Sequence, residues 1–127
     1  MIISIAHRAA RNAASIALAD AGPAASAVRL YAAENGLLLG QRTLAKPCGV
    51  ITDQGRIQLM PAAAADLVAA TGKPSWATWC DGYGAVVAAG AVTAEDGDGP
   101  FKLSGTGPDG TLYAGGIVQL VSPALLG

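Results

Sequence analysis

Apolar and polar positions alternate most clearly around the two tryptophans. Ser75, Ala77 and Trp79 interleave with Trp76, Thr78 and Cys80, and an extended strand places those two sets on opposite faces. Asp81-Gly82-Tyr83-Gly84 follows as a tight turn, since Asp-Gly suits the left-handed backbone of a short hairpin. Val86 to Val92 then returns as a strand of small and β-branched residues. This hairpin is the stretch around which the rest of the chain is expected to pack.

Upstream, Met1 to Leu18 carries a helical pattern rich in Ala, a strong helix former. Arg8, Arg11, Asn12 and Ser15 recur at spacings of three and four, with Ala6, Ala10, Ala13 and Ala17 opposite them. That smooth Ala face either covers the protein's own sheet or docks on a partner. Ala21-Gly22-Pro23 ends the helix by the usual glycine-then-proline exit, so residues 1–22 read as a helix or arm and 23–127 as a β domain.

Short strands are expected over Val28 to Ala32 and Leu37 to Thr43, joined by the hairpin signal Glu34-Asn35-Gly36. Leu37, Leu38 and Leu39 do not alternate, which points to burial on both sides or to an interface. Lys46-Pro47 should break this strand. Gly49 to Thr52 resumes it, and Arg56 to Met60 returns after a turn at Asp53-Gln54-Gly55. Pro61 to Ala70 fits a helix started by proline, and fits a strand or loop almost as well. Phe101 to Ser104, Leu112 to Ala114 and Ile117 to Val121 complete the set, with a loop at residues 105–110 and a tail from Pro123 to Gly127. About eight short strands at roughly ten-residue spacing describe a mainly β fold. The expected architecture is an antiparallel sandwich or barrel with an N-terminal α-helix.

Composition changes this picture in one respect. Only 13 % of the 127 residues are charged and 52 % are hydrophobic, with a formal net charge of -1. An average domain is nearer one quarter charged, so much of this surface is expected to lie against other protein, first of all other copies of the chain. No basic field exists to hold nucleic acid, and no stretch is long and apolar enough to predict a membrane span. Arg8, Arg11 and Ala24-Ala25-Ser26-Ala27 resemble parts of a leader sequence, but Asn12, Ser15 and Asp20 interrupt the apolar run between them. The reading is an unprocessed product of the cytoplasm.

Candidate chemistry is sparse. His7 is the single histidine, with no recognisable Ser or Cys partner. Asp81, Glu95 and Asp96 are the carboxylates available for a glycosidase pair, and all three stand in turns. The cluster Glu95-Asp96-Gly97-Asp98-Gly99-Pro100 lacks the further oxygen donors of a calcium loop. Cys48 and Cys80 with one histidine do not make up a four-ligand zinc set, and they read as unpaired buried thiols. An enzyme, a resident metal and a cofactor are therefore not expected. Trp76, Trp79 and Tyr83 are candidate aromatics for a surface glycan, although the alternation puts one tryptophan in the core.

The order of features resembles a loosely defined group of small phage and prophage proteins encoded among virion structural genes. The likeness rests on the Ala-rich helix leading into Arg29-Leu30-Tyr31, and on Trp76-Ala77-Thr78-Trp79 ending in Cys80-Asp81-Gly82 and running into Val86 to Val92. The closing Gly115-Gly116-Ile117-Val118-Gln119-Leu120 completes it. Where such proteins carry a Tyr-Asp pair after the Trp strand, this chain has Cys80-Asp81 after Trp79. The resemblance implies a subunit of the virion, in the tail, tail tip or capsid decoration. It would be made in the host cytoplasm and packed against itself and other virion proteins, and no catalytic residues follow from it. Expected partner contacts are Leu37, Leu38, Leu39, Ala10, Ala13, Ala17, Leu125 and Leu126. A host-recognition or glycan-binding module is the alternative.

Overall fold

The computed structural model describes residues 1–104, 110–121 and 124–127. One helix, α1 (Ile5–Ala19), precedes nine strands: β1 (Ala27–Tyr31), β2 (Leu38–Ile51), β3 (Ile57–Pro61), β4 (Asp66–Leu67), β5 (Trp76–Cys80), β6 (Val86–Ala94), β7 (Phe101–Ser104), β8 (Ile117–Leu120) and β9 (Ala124–Leu126). They form a curled sheet in the order β4-β8-β7-β6-β5-β1-β2-β3-β9. The curl carries the β4 end back onto β2, through a bridge between Gly40 and Val68 and donation from the Ala69 and Ala70 N–H groups to Leu39 O. The result is a half-barrel around a core that includes Val28, Leu30, Leu44, Trp79, Phe101 and Val118.

The expectation of a mainly β chain with an N-terminal helix holds. A wholly antiparallel sheet does not, because β6 and β7 run parallel, with Val92 opposite Phe101 and Ala94 opposite Leu103. Between them the chain reverses twice in a short span. Gly97 N–H donates to Ala94 O, and Gly99 N–H donates to Thr93 Oγ1. Pro100 then lies over Gly90, where a Cβ would sit 2.5 Å from the proline Cγ. Glycine at position 90 lets the chain fold back this closely.

Three local expectations are corrected, and one open between two forms takes the second. Pro61 to Ala70 is not a helix but a turn and strand; it runs into β4, drawn onto β2 by the Asp66 carboxylate, which accepts from Arg42 Nη1 at 2.8 Å and Thr43 N at 3.0 Å. Lys46-Pro47 does not break β2, which continues through it with an irregular register between Leu44 and Gly49. Leu112 makes only an isolated bridge to Gly72. The expected tail contains β9, which pairs with β3 and buries Leu126. The loop expected at 105–110 lies, up to residue 109, outside the described residues, as does Pro123.

Helix α1 is capped by Ser4, whose Oγ accepts from His7 N at 3.0 Å. Its inward face is not the Ala stripe. Ile16 and Ala19 meet the core, Arg8 donates to Gln54 O at 3.1 Å, and Asn12 donates to Gly55 O at 2.7 Å. Those two loop carbonyls turn the polar residues toward the sheet, which leaves Ala10, Ala13 and Ala17 exposed.

Candidate functional site

The turn after β5 fixes the sheet's position over the helix exit. Asp81 is buried, and its Oδ1 accepts from Tyr83 N and Ala85 N, both at 2.9 Å. Gly82 N–H donates to Ala21 O, and Gly82 O accepts from Ala24 N. Gly22 and Gly82 meet backbone to backbone, so a side chain on either would collide with main-chain atoms. Below this turn, Ser26, just before β1, is fastened to β5: its Oγ accepts from Trp79 Nε1 at 2.9 Å and donates to Cys80 O at 2.7 Å.

With β5 held this way, register sets the outer face. Tyr31 stands opposite both Trp76 and Leu38, and Trp76 stands opposite Ala91. Directly paired residues share a face, so Ala91, Trp76, Tyr31 and Leu38 make one uncharged row across β6, β5, β1 and β2. Trp76 and Tyr31 are half-buried, and Leu38 is 40 % exposed. Leu37, just before it, is 61 % exposed. The neighbouring row is Ala89, Thr78, Arg29 and Gln41, polar at all but its first position. Within it Arg29 Nε donates to Gln41 Oε1 at 3.2 Å.

The structure therefore brings together two of the residues singled out from sequence, Leu38 and Trp76, and adds Tyr31 and Ala91. Tyr31 was legible in the alternation Arg29, Tyr31 against Val28, Leu30, which faces it outward. Leu39 and Leu126 are core residues, and Leu125 is half-buried on β9 opposite Gln58. Ala10, Ala13 and Ala17 face solvent on a separate surface. Trp79 is 1 % exposed, whereas Tyr83 is 75 % exposed in the turn. Trp76 opens β5 and Tyr83 lies beyond its other end, roughly 13 Å or more away along the strand, so the three aromatics do not form one platform.

A cleft of about 420 Å³ opens elsewhere, lined among others by Arg42, Gln58, Met60, Ser104 and Gln119. Most of its polar side chains are occupied within the chain: Arg42 by Asp66 and Ala63 O, Gln119 by Ala64 O, Ser104 by Leu120 O. Among the described residues no buried side-chain nitrogen or oxygen lacks a partner, and no cluster of His, Cys, Asp or Glu is arranged to hold a metal ion. Cys48 is buried, and desolvation, reinforced by Asp20 beside it, pushes its thiol up to about 12. It is no nucleophile at neutral pH. No described helix is long and apolar enough to cross a membrane. Comparison with protein-family models, with curated proteins and with solved structures found no match for this chain.

Proposed function

We propose that this chain is a repeated structural subunit of a bacteriophage or prophage particle, in the tail, tail tip or capsid decoration, acting by protein–protein packing. The observation that carries the reading is the uncharged outer row Ala91–Trp76–Tyr31–Leu38, with Leu37 exposed just before it in the chain. A row of this kind gains free energy when another protein covers it, at about 25 cal/mol per Å² of apolar surface removed from water. Low charge over the whole chain supports the same reading, as does the resemblance to phage structural proteins. The exposed Ala face of α1 offers a second surface on which the backbone of a neighbour can approach closely.

The test has two arms. Quantitative mass spectrometry of particles from a host carrying the gene should find the protein in several copies per particle. Sedimentation of the purified chain should show reversible self-association that Trp76→Lys weakens while its unfolding midpoint stays near that of the parent. A protein absent from particles and monomeric at every concentration sinks the proposal.

The adjacent Trp76 and Tyr31 rings also favour a second reading, a glycan-binding module of the virion. Sugar recognition needs free donors and acceptors beside the aromatic face. Here Ser75 Oγ is taken up by Ala32 O at 2.7 Å, and the nearest charged side chain, Arg29, lies one row away and shares a hydrogen bond with Gln41. The uncharged row itself and the low charge of the chain rank the packing reading first. Binding on a glycan array that Trp76→Ala abolishes, with folding intact, would reverse the order.

A further inference from the structure

Strand β6 is longer than the strands that flank it. Along one side it pairs with β5 from Val86 to Ala91, but along the other it meets β7 only from Val92 onward. Val92 N–H donates to Ser75 O, toward β5. Backbone groups alternate in direction along an antiparallel pair, so the Ala89 N–H and C=O point away from β5. The neighbouring Ala91 O is approached by Gly99, where a Cβ would stand 2.9 Å away. No described group meets the backbone of Ala89. Val86, Ala88 and Ala89 are exposed, Val86 by 59 %.

Exposed edges of this sort are normally blunted by lysine, proline or inward charge. Between Asp81 and Glu95 the chain carries no charged residue and no proline. The one blunting device present is the irregular register beside Trp79 and Cys80, where Ala88 and Val86 are the successive partners and Val87 is extra. By contrast, the β4 end of the sheet is closed onto β2 by the Arg42–Asp66 ion pair and the Gly40–Val68 bridge.

We propose that the Val86–Ala89 edge pairs antiparallel with the same segment of a second copy about a two-fold axis, the outward Ala89 backbone of each copy supplying hydrogen bonds to the other. A second copy is the occupant that fits on two grounds. The segment is self-complementary, offering the same donors and acceptors to a copy related by two-fold rotation. It is uncharged, and the whole chain has a formal net charge of only -1, so two copies approach without like-charge cost. Four residues a side fall well below the roughly 800 Å² per partner of a stable complex. The pair is thus weak in dilute solution and forms where copies are concentrated. This inference rests on the self-association reading above and names its contact.

Amide hydrogen exchange on the wild-type chain at low and high concentration tests it, with Val92 as the internal control. Ala89 should exchange freely when dilute and slow as dimer forms, while Val92 stays protected throughout. Ala89→Pro removes one edge N–H at a position where proline is tolerated, and should weaken dimerisation at least about tenfold with unchanged circular dichroism. If the protein associates while Ala89 exchange is independent of concentration, the edge contact is wrong and the packing reading survives through the outer row. If Ala89 becomes protected only in particles, and never in the pure protein, the occupant is another virion protein and the second-copy proposal is overturned. If the chain neither associates nor enters particles, both proposals fall together.

Discussion

Removing one oxygen atom from the centre of the fold should cost a large share of its stability. Ser26 is 2 % exposed, and its Oγ accepts from Trp79 Nε1 while donating to Cys80 O. In Ser26→Ala the indole N–H, buried with Trp79, is left without an acceptor, a loss of about 1–3 kcal/mol. The Cys80 carbonyl loses a second, smaller contribution of about 1 kcal/mol. The two together give about 2–4 kcal/mol, against a total of roughly 5–15 kcal/mol for a domain. Urea unfolding followed by circular dichroism should show the midpoint falling with little change in slope. A double-mutant cycle isolates the bond: Trp79→Phe deletes the indole N–H, so Ser26→Ala in that background should cost only about 1 kcal/mol. A loss below about 0.5 kcal/mol in the parent, or equal losses in both backgrounds, would refute the hydrogen-bond argument. Ser26 would then be a packing residue only.

Three further outcomes follow from contacts elsewhere. Asp66→Ala strands the guanidinium of Arg42, itself 4 % exposed, and should lower unfolding free energy by about 3 kcal/mol in a denaturant titration. Gly82→Ala drives a methyl group into the Ala24 carbonyl and should lower the thermal midpoint through a loss of about 2 kcal/mol or more. Cys48 should resist iodoacetamide at pH 8 until denaturant is added, with mass spectrometry counting the adducts. Its raised pKa means the unfolded thiol ionises first. Stability is therefore intact below pH 9 and falls as pH rises toward about 12, with a slope of up to about 1.4 kcal/mol per unit.

The strands that alternate were legible residue by residue. Trp76 and Thr78 against Ala77 and Trp79 predicted one tryptophan out and one in, and Asn35-Gly36 predicted the turn where Asn35 takes a φ of 60°. The orientation of α1 was hidden, because periodicity weighs hydrophobicity and the inward contacts of Arg8 and Asn12 are hydrogen bonds to loop carbonyls distant in sequence. Asp66 escaped for the same reason. Its neighbours suit a helix by propensity, and its capture by Arg42 and Thr43 is a tertiary contact that overrides propensity. The parallel β6–β7 pair was equally hidden, since an acidic Gly-rich stretch reads as a single turn and not as a double reversal. The outer row joins residues from four strands, so it existed for the reader only once register was known. Its members Leu38 and Trp76 were visible singly.

The two proposed contacts differ in what they build. Edge pairing through β6 extends the sheet sideways about one two-fold axis, whereas covering the Trp76–Tyr31 row stacks one sheet face on another. A subunit with one self-complementary patch stops at a dimer. A subunit with two, on different surfaces, continues: the angle between the two axes decides whether copies close into a dihedral ring or run on as an open strip. Ala89→Pro and Trp76→Lys should therefore not act as graded versions of one defect. Each alone should arrest association at a dimer, held by the contact that remains, and the pair combined should give a monomer. If either single variant already sediments as a monomer at every concentration, one contact carries the whole assembly and the two-contact scheme is refuted.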